Sequence, residues 1–257
     1  KILTNSNIFT NLVYGIRGNS TQFIKAGYSF FTDCNVGVSV QAPTAGVEPL
    51  TEVTGNTFSN CNTGIQGDGL NILVQENSIN GTAAQGTVGV FLRGSFFKVG
   101  GTYNGNNYTG NALSNLNVGI ATMDCSDLGN EIRNNTLSQV NTGIRAMRNN
   151  SGLSIGCNNI NYKQYGVLVH SWNGVNGQIP DQGDCNDITI GPAFNTFSYS
   201  PTTPSSPNPR AIELNNAQAF TYSDINTTVN TLNILGISGI VTLDPCFGYN
   251  SNCNTYT

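Results

Sequence analysis

Apolar and polar positions along this chain follow one recurring skeleton. In Asn56-Thr-Phe58-Ser-Asn-Cys-Asn-Thr-Gly64-Ile65, a large apolar residue stands two places after an Asn, and a Gly-Ile step follows. The skeleton returns at Asn7-x-Phe9…Gly15-Ile16, Asn111-x-Leu113…Gly119-Ile120, Asn135-x-Leu137…Gly143-Ile144 and Asn158-x-Ile160…Gly166-Val167. The glycines at 15, 37, 64, 89, 119, 143 and 166 are spaced 22, 27, 25, 30, 24 and 23 residues apart, and Ala211-Ile212 is an altered eighth copy. A period of this size with insertions predicts a solenoid. Its segments are short, rich in Ile, Val, Phe and Thr, and bounded by Gly or Asn, so they read as strands. A further strand precedes the Asn, as in Ile72-x-Val74, Leu153-x-Ile155 and Ile188-x-Ile190. Each repeat is then about three short strands. The fold class is all-β, a parallel β-helix solenoid of about eight to nine coils, with successive coils about 4.8 Å apart.

This architecture gives each column a task. The Asn column is expected to occupy left-handed turns and to bond its amides up and down the stack. The Phe/Ile/Leu column and the Ile/Val after each Gly are expected in the core. Gly is expected to permit a tight bend. One domain spans residues 1–245, with insertions at 94–110 and 171–210 and a tail at 246–257. The second insertion holds Trp172, Cys185 and a Pro-rich run at 201–209, and Asn230-x-Leu232 with Gly239-Ile240 suggests a degenerate last coil. Long loops on a compact scaffold are candidate carriers of function.

Composition narrows the setting. Only 9% of the 257 residues are charged and the formal net charge is −4, so no basic face is available for a nucleic-acid partner. The same balance, with no long apolar run, argues against membrane insertion. The periodic apolar positions argue against disorder. Seven cysteines occur without a C-x-x-C pair, which favours disulfides in an oxidising, extracellular or cell-surface setting over zinc. Cys246 and Cys253 are expected to close the tail. Cys34 and Cys61 occupy equivalent repeat positions and form either a disulfide rung, the expectation favoured here, or two buried thiols. Lys1 and Asn7 fall within a coil, which suggests a processed product or a piece of a longer chain whose other domains are partners.

The N-x-I-x-x-x-x-x-G-I repeats resemble those of right-handed, pectate-lyase-like parallel β-helices over about Asn7–Ile212. The Asn/Ser/Thr-rich, Lys-poor style is similar to secreted or surface-displayed bacterial proteins, especially of Bacteroidetes. The resemblance implies the fold and leaves the activity open, because this scaffold hosts lyases, hydrolases, adhesins and phage proteins. In polysaccharide-degrading relatives, the outward sheet face after each Gly-Ile carries the substrate groove.

Alternation along the strand predicts two outward columns there. One holds Arg17, Ser39, Gln66, Phe91, Ala121, Arg145, Leu168 and Glu213. The next holds Asn19, Gln41, Asp68, Arg93, Met123, Met147, His170 and Asn215. A glycosidase needs two facing carboxylates, and Asp68 and Asp124 are the candidates, two coils or about 10 Å apart. A lyase needs a basic residue, for which Arg93, Arg145 and Arg148 are candidates, but no acidic cluster accompanies them to hold calcium. The polygalacturonase signatures N-x-D, D-D, G-H-G and R-x-K are absent. If the chain is an enzyme, the candidate catalytic set is Asp68, Asp124, Arg145 and His170, although an ordinary surface histidine is the favoured reading of His170. Candidate ligand-binding residues are Phe91, Arg93, Arg145 and Trp172, although packing under a loop at 94–110 or 171–193 is the favoured reading of Phe91, Met123, Met147 and Trp172. No metal site is evident. Calcium at Asp127 and Asp187 is a minor alternative to turn capping, and no other cofactor is implied.

The functional expectation is an extracellular β-helix module serving structure, adhesion or contact with a polysaccharide or cell-surface glycan. The alternatives are a polysaccharide lyase or glycoside hydrolase acting along the same face, and a phage or surface-layer assembly protein.

Overall fold

The computed structural model describes residues 2–19, 24–42, 51–82, 86–103, 106–184, 193–200, 209–224 and 241–245. The described chain winds into a parallel β-solenoid with three strand faces. The first face stacks Ile2–Asn5, Ile24–Gly27, Thr51–Thr54, Asn71–Gln75, Phe96–Tyr103, Asn130–Arg133 and Leu153–Gly156. The second stacks Ile8–Thr10, Phe30–Thr32, Thr57–Ser59, Ser78–Asn80 and Ala112–Ser114, then the first parts of Thr136–Met147 and Asn159–His170, then Thr196–Tyr199. The third stacks Tyr14–Asn19, Val36–Gln41, Thr63–Asp68, Val88–Arg93 and Val118–Met123, then the second parts of the same two long strands, then Arg210–Asn215. The first face thus has seven described rungs and the other two have eight, at or just below the expected coil count. The strand expected at Ile188–Ile190 and the coil expected at 230–240 lie outside the described residues.

The core columns hold as read from the sequence. Phe9, Phe31, Phe58, Ile79, Leu113, Leu137, Ile160 and Phe197 fall in one register. Phe9, Phe31 and Phe58 stack with centroids 4.8 and 4.7 Å apart, so the strand spacing itself brings the rings into contact. Burial of each such side chain contributes roughly 1.5–3 kcal/mol.

Two column assignments are corrected. The left-handed residue is the one before the column: Ser6, Gly55, Glu76, Asn134, Cys157 and Phe194 before an Asn, and Tyr28 before Ser29, have φ between 48° and 67°. From Asn56 onward the Asn itself is buried, where its amide is most useful. Asn56, Asn77, Asn111, Asn135 and Asn158 each donate Nδ2 to Oδ1 of the next Asn at 2.9–3.1 Å, ending on Asn195. Each backbone N–H of the column donates to the same Oδ1.

The Gly column does not serve as a bend in the left-handed region. It supplies room. A Cβ on Gly119 would lie 2.4 Å from Leu137 Cδ2 and 2.7 Å from the Gly143 carbonyl; one on Gly37 would lie 2.5 Å from the Phe58 ring. Coils approach closely there because nothing but hydrogen occupies that side. Ala211 stands on the last described rung of this face.

The region at 94–110 is more than an excursion. Phe96–Tyr103 is a first-face rung, parallel to Asn71–Gln75 and Asn130–Arg133, with Phe97 and Val99 fully buried. Only its end departs, into an antiparallel pairing with Asn106–Tyr108.

Candidate functional site

The third face carries the candidate site, and its register aligns both outward columns residue for residue from Arg17 to Glu213 and from Asn19 to Asn215. What the register adds is the partner of each charge. Asp68 lies opposite Arg93 on the next rung and is ion-paired to it through both carboxylate oxygens, one at 3.1 Å from Nε. Asp124 is paired to Arg148 at 3.0 Å, and Glu213, almost fully buried, to Arg210. The Asp68 pair raises the Arg93 pKa, with a smaller contribution from Asp124. A guanidinium therefore stands on the rung between the two candidate acids and is bonded to one of them. A carboxylate pair acting across a glycosidic oxygen needs that space open.

Arg145 differs. No carboxylate pairs with it among the described residues, its Nε is buried without a partner, and burial pushes its pKa down. It remains a cation, as arginine does throughout the ordinary pH range. His170 follows on the adjacent rung, with its Nδ1 2.7 Å from the Ser171 carbonyl. Burial lowers its pKa, opposed by that backbone bond, and Arg145 lowers it further. An Nδ1–H donated to the carbonyl leaves Nε2 as the free acceptor, and Nε2 is buried without a partner.

Trp172 is brought beside this pair by local turn chemistry. In Trp172-Asn173-Gly174-Val175, both central residues have positive φ, 52° and 79°, and Trp172 and Val175 exchange backbone bonds of 3.0 and 3.2 Å. Asn-Gly is the preferred pair for such a turn. Trp172 keeps 48% of its surface exposed and meets the His170 ring edge-on at 6.4 Å. Phe91 is not part of this group. With Met123 and Val88 it packs against Val118, Ala121 and Met147, a small apolar cluster outside the main core. The residues brought together are thus Arg145, His170 and Trp172, while Asp68, Arg93 and Asp124 are drawn into ion pairs.

The cysteine expectations divide. Cys34 and Cys61 are free thiols in the structure and not a bonded rung. Each is buried and donates to backbone carbonyls, Cys34 toward Phe9 and Thr32, Cys61 toward Phe31 and Ser59. Burial pushes the Cys61 thiol up to about 11. Cys246, Cys253 and Asp187 lie outside the described residues. Among the described residues no group of three or more His, Cys, Asp or Glu could hold a metal ion, and no helix is long and apolar enough to cross a membrane.

No protein-family model, no curated protein and no solved structure matches this chain.

Proposed function

We propose that the chain is a rigid extracellular β-solenoid module of a secreted or cell-surface bacterial protein, contacting glycan through the third face and other domains through its ends. The observation that carries this reading is the engagement of Asp68, Asp124 and Glu213 by arginines on a face where Trp172 stands exposed and Arg145 has no carboxylate partner among the described residues. An exposed indole offers a flat apolar surface for a sugar ring, and an arginine without a carboxylate offers donors to its oxygens. A polymer of stacked coils also presents such groups at fixed spacing, which suits adhesion better than a mobile loop does.

The test is a panel of acidic and neutral polysaccharides, assayed both for binding and for turnover, with reducing ends and unsaturated products as readouts. Binding without turnover, weakened by Trp172→Ala, is expected. Turnover abolished by Asp68→Ala or Arg145→Ala would refute the non-catalytic reading and establish the lyase or hydrolase alternative.

A further inference from the structure

The second face differs from the other two in the chemistry it turns outward. Its first outward column runs Thr57, Ser78, Ala112, Thr136, Asn159 and Thr196, one residue per coil and in unbroken register. Its second runs Ser59, Asn80, Ser114 and Ser138, then Asn161 and Ser198 beyond a register shift between Leu137 and Val140. All are exposed or half-buried. Every rung from Thr57 to Asn159 has a described coil on both sides, so this exposure does not depend on what covers the ends of the stack. None of these positions carries a charge. The ion pairs of the described chain lie elsewhere: Lys25–Glu52 and Lys98–Glu131 on the first face, Asp68–Arg93, Asp124–Arg148 and Arg210–Glu213 on or beside the third.

The two columns form a grid. Neighbouring coils place like positions about 4.8 Å apart, and two residues along a strand span about 6.6 Å. The hydroxyls of Thr57, Ser59, Ser78, Thr136, Ser138 and Thr196 make no hydrogen bond among the described residues. Ser114 Oγ donates to Asn80 Oδ1 at 2.9 Å and Asn161 Nδ2 to Ser198 Oγ at 3.0 Å, which orients those side chains. Phe58, Ile79, Leu113, Leu137 and Ile160, none more than 2% exposed, back the grid from the core.

We propose that this face binds ice. Hydroxyls and amides both donate and accept, so they match a lattice water in either orientation. Ala loses no side-chain freedom when held and Thr is stiff about χ1, whereas each immobilised Lys or Arg would cost about 1.5–2 kcal/mol. A charge would also have to surrender its own hydration shell to a fixed lattice. The two grid spacings lie close to the oxygen repeats on a prism face of ice. Two other occupants are disfavoured. Between Thr57 and Thr196 the face is about 24 Å long and its strands about 10 Å, roughly 240 Å², against about 800 Å² per partner in a stable protein interface. No aromatic residue stands in either column to stack on a sugar ring. The proposal is independent of the glycan reading of the third face and shares with it only the extracellular setting.

The experiment grows ice slowly through a dilute solution of the whole chain and measures the fraction taken into the solid, with crystal shape recorded alongside. Incorporation and faceted crystals are expected. Thr136→Lys and Ala112→Lys, both at exposed positions, are each expected to cut the incorporated fraction about tenfold with urea unfolding unchanged, and Ser78→Lys replaces either one if it fails to fold. Leu128→Lys, at an 86% exposed turn residue outside the face, adds the same charge and is expected to leave incorporation intact. Exclusion of the whole chain from ice would overturn the proposal. So would incorporation that survives the lysine variants on the face, or an equal loss with Leu128→Lys. Binding to microcrystalline cellulose or chitin by a chain that ice excludes, abolished by the same variants, would replace ice with a crystalline polysaccharide. Self-association abolished by them would replace it with a second copy of the chain.

Discussion

Replacement of Asn135 by Ala is the sharpest test of what holds the coils in register. Asn135 is 1% exposed and stands in the middle of the amide ladder. Its Nδ2 donates to the carbonyls of Val99 and Arg133 at 2.9 Å and to Asn158 Oδ1 at 3.1 Å, while its Oδ1 accepts from Asn111 N–H at 3.0 Å and Asn111 Nδ2 at 2.9 Å. Alanine removes all of these at once. The Asn111 Nδ2 keeps its bond to Val74, and Asn158 Oδ1 keeps the backbone donor of residue 135. The Asn111 N–H and the Val99 carbonyl lose their amide partner in the interior. Each unsatisfied buried group costs about 1–3 kcal/mol, so Asn135→Ala is expected to destabilise by about 3–5 kcal/mol. Equilibrium urea unfolding measures the total. Amide exchange locates it, because a solenoid opens locally between neighbouring coils. Protection should fall first around residues 111 and 135. Asn62→Ala, an exposed amide in one bond, is expected to change stability by under about 0.5 kcal/mol. A loss below about 1 kcal/mol for Asn135→Ala, with uniform exchange, would refute the ladder as a principal source of stability.

The Gly column makes an equally local prediction. Gly119→Ala places a Cβ against Leu137 and the Gly143 carbonyl and is expected to cost about 1–3 kcal/mol by overpacking in urea unfolding, whereas an effect near zero would show that the coils can separate freely. Phe31→Ala empties the middle of a three-ring stack and is expected to cost about 3–5 kcal/mol, with a cost under about 1 kcal/mol contradicting the packing described. Burial raises the Cys61 and Cys125 thiols from an ordinary value of 9.0 to about 11, so the stability they contribute is fully present below pH 9 and lost as pH rises through about 11. Thermal unfolding from pH 8 to 11 should show that fall, and iodoacetamide should label both thiols far more slowly in the native chain than in urea. Rapid native labelling of Cys61 at pH 8 would contradict its burial.

The fold was legible because a solenoid writes its core in repeating positions. Phe58, Leu113 and Leu137 could be placed together from spacing alone, since each obeys the same alternation within its own coil. The outward columns were legible for the same reason. The insertion at 94–110 was misread because the Tyr-, Asn- and Gly-rich end at 101–110 masked the alternating Phe96–Val99 rung that precedes it.

By itself, the sequence determined the period, the inward and outward positions, and the identity of the Asn, Gly and aromatic columns, since these follow from alternation within a strand. The tertiary structure decided what passes between coils. It showed that the Gly column provides clearance for the neighbouring side chain, that the left-handed turn lies one residue before the Asn, and that Cys34 and Cys61 remain thiols. It also decided that Asp68 and Asp124 are taken up by Arg93 and Arg148 while Arg145 lacks an acid. The physical reason is that insertions of differing length separate the partners by 24 or 25 residues here and 33 between Lys98 and Glu131, so no local pattern encodes them. Stacking at the strand repeat alone brings them within bonding distance.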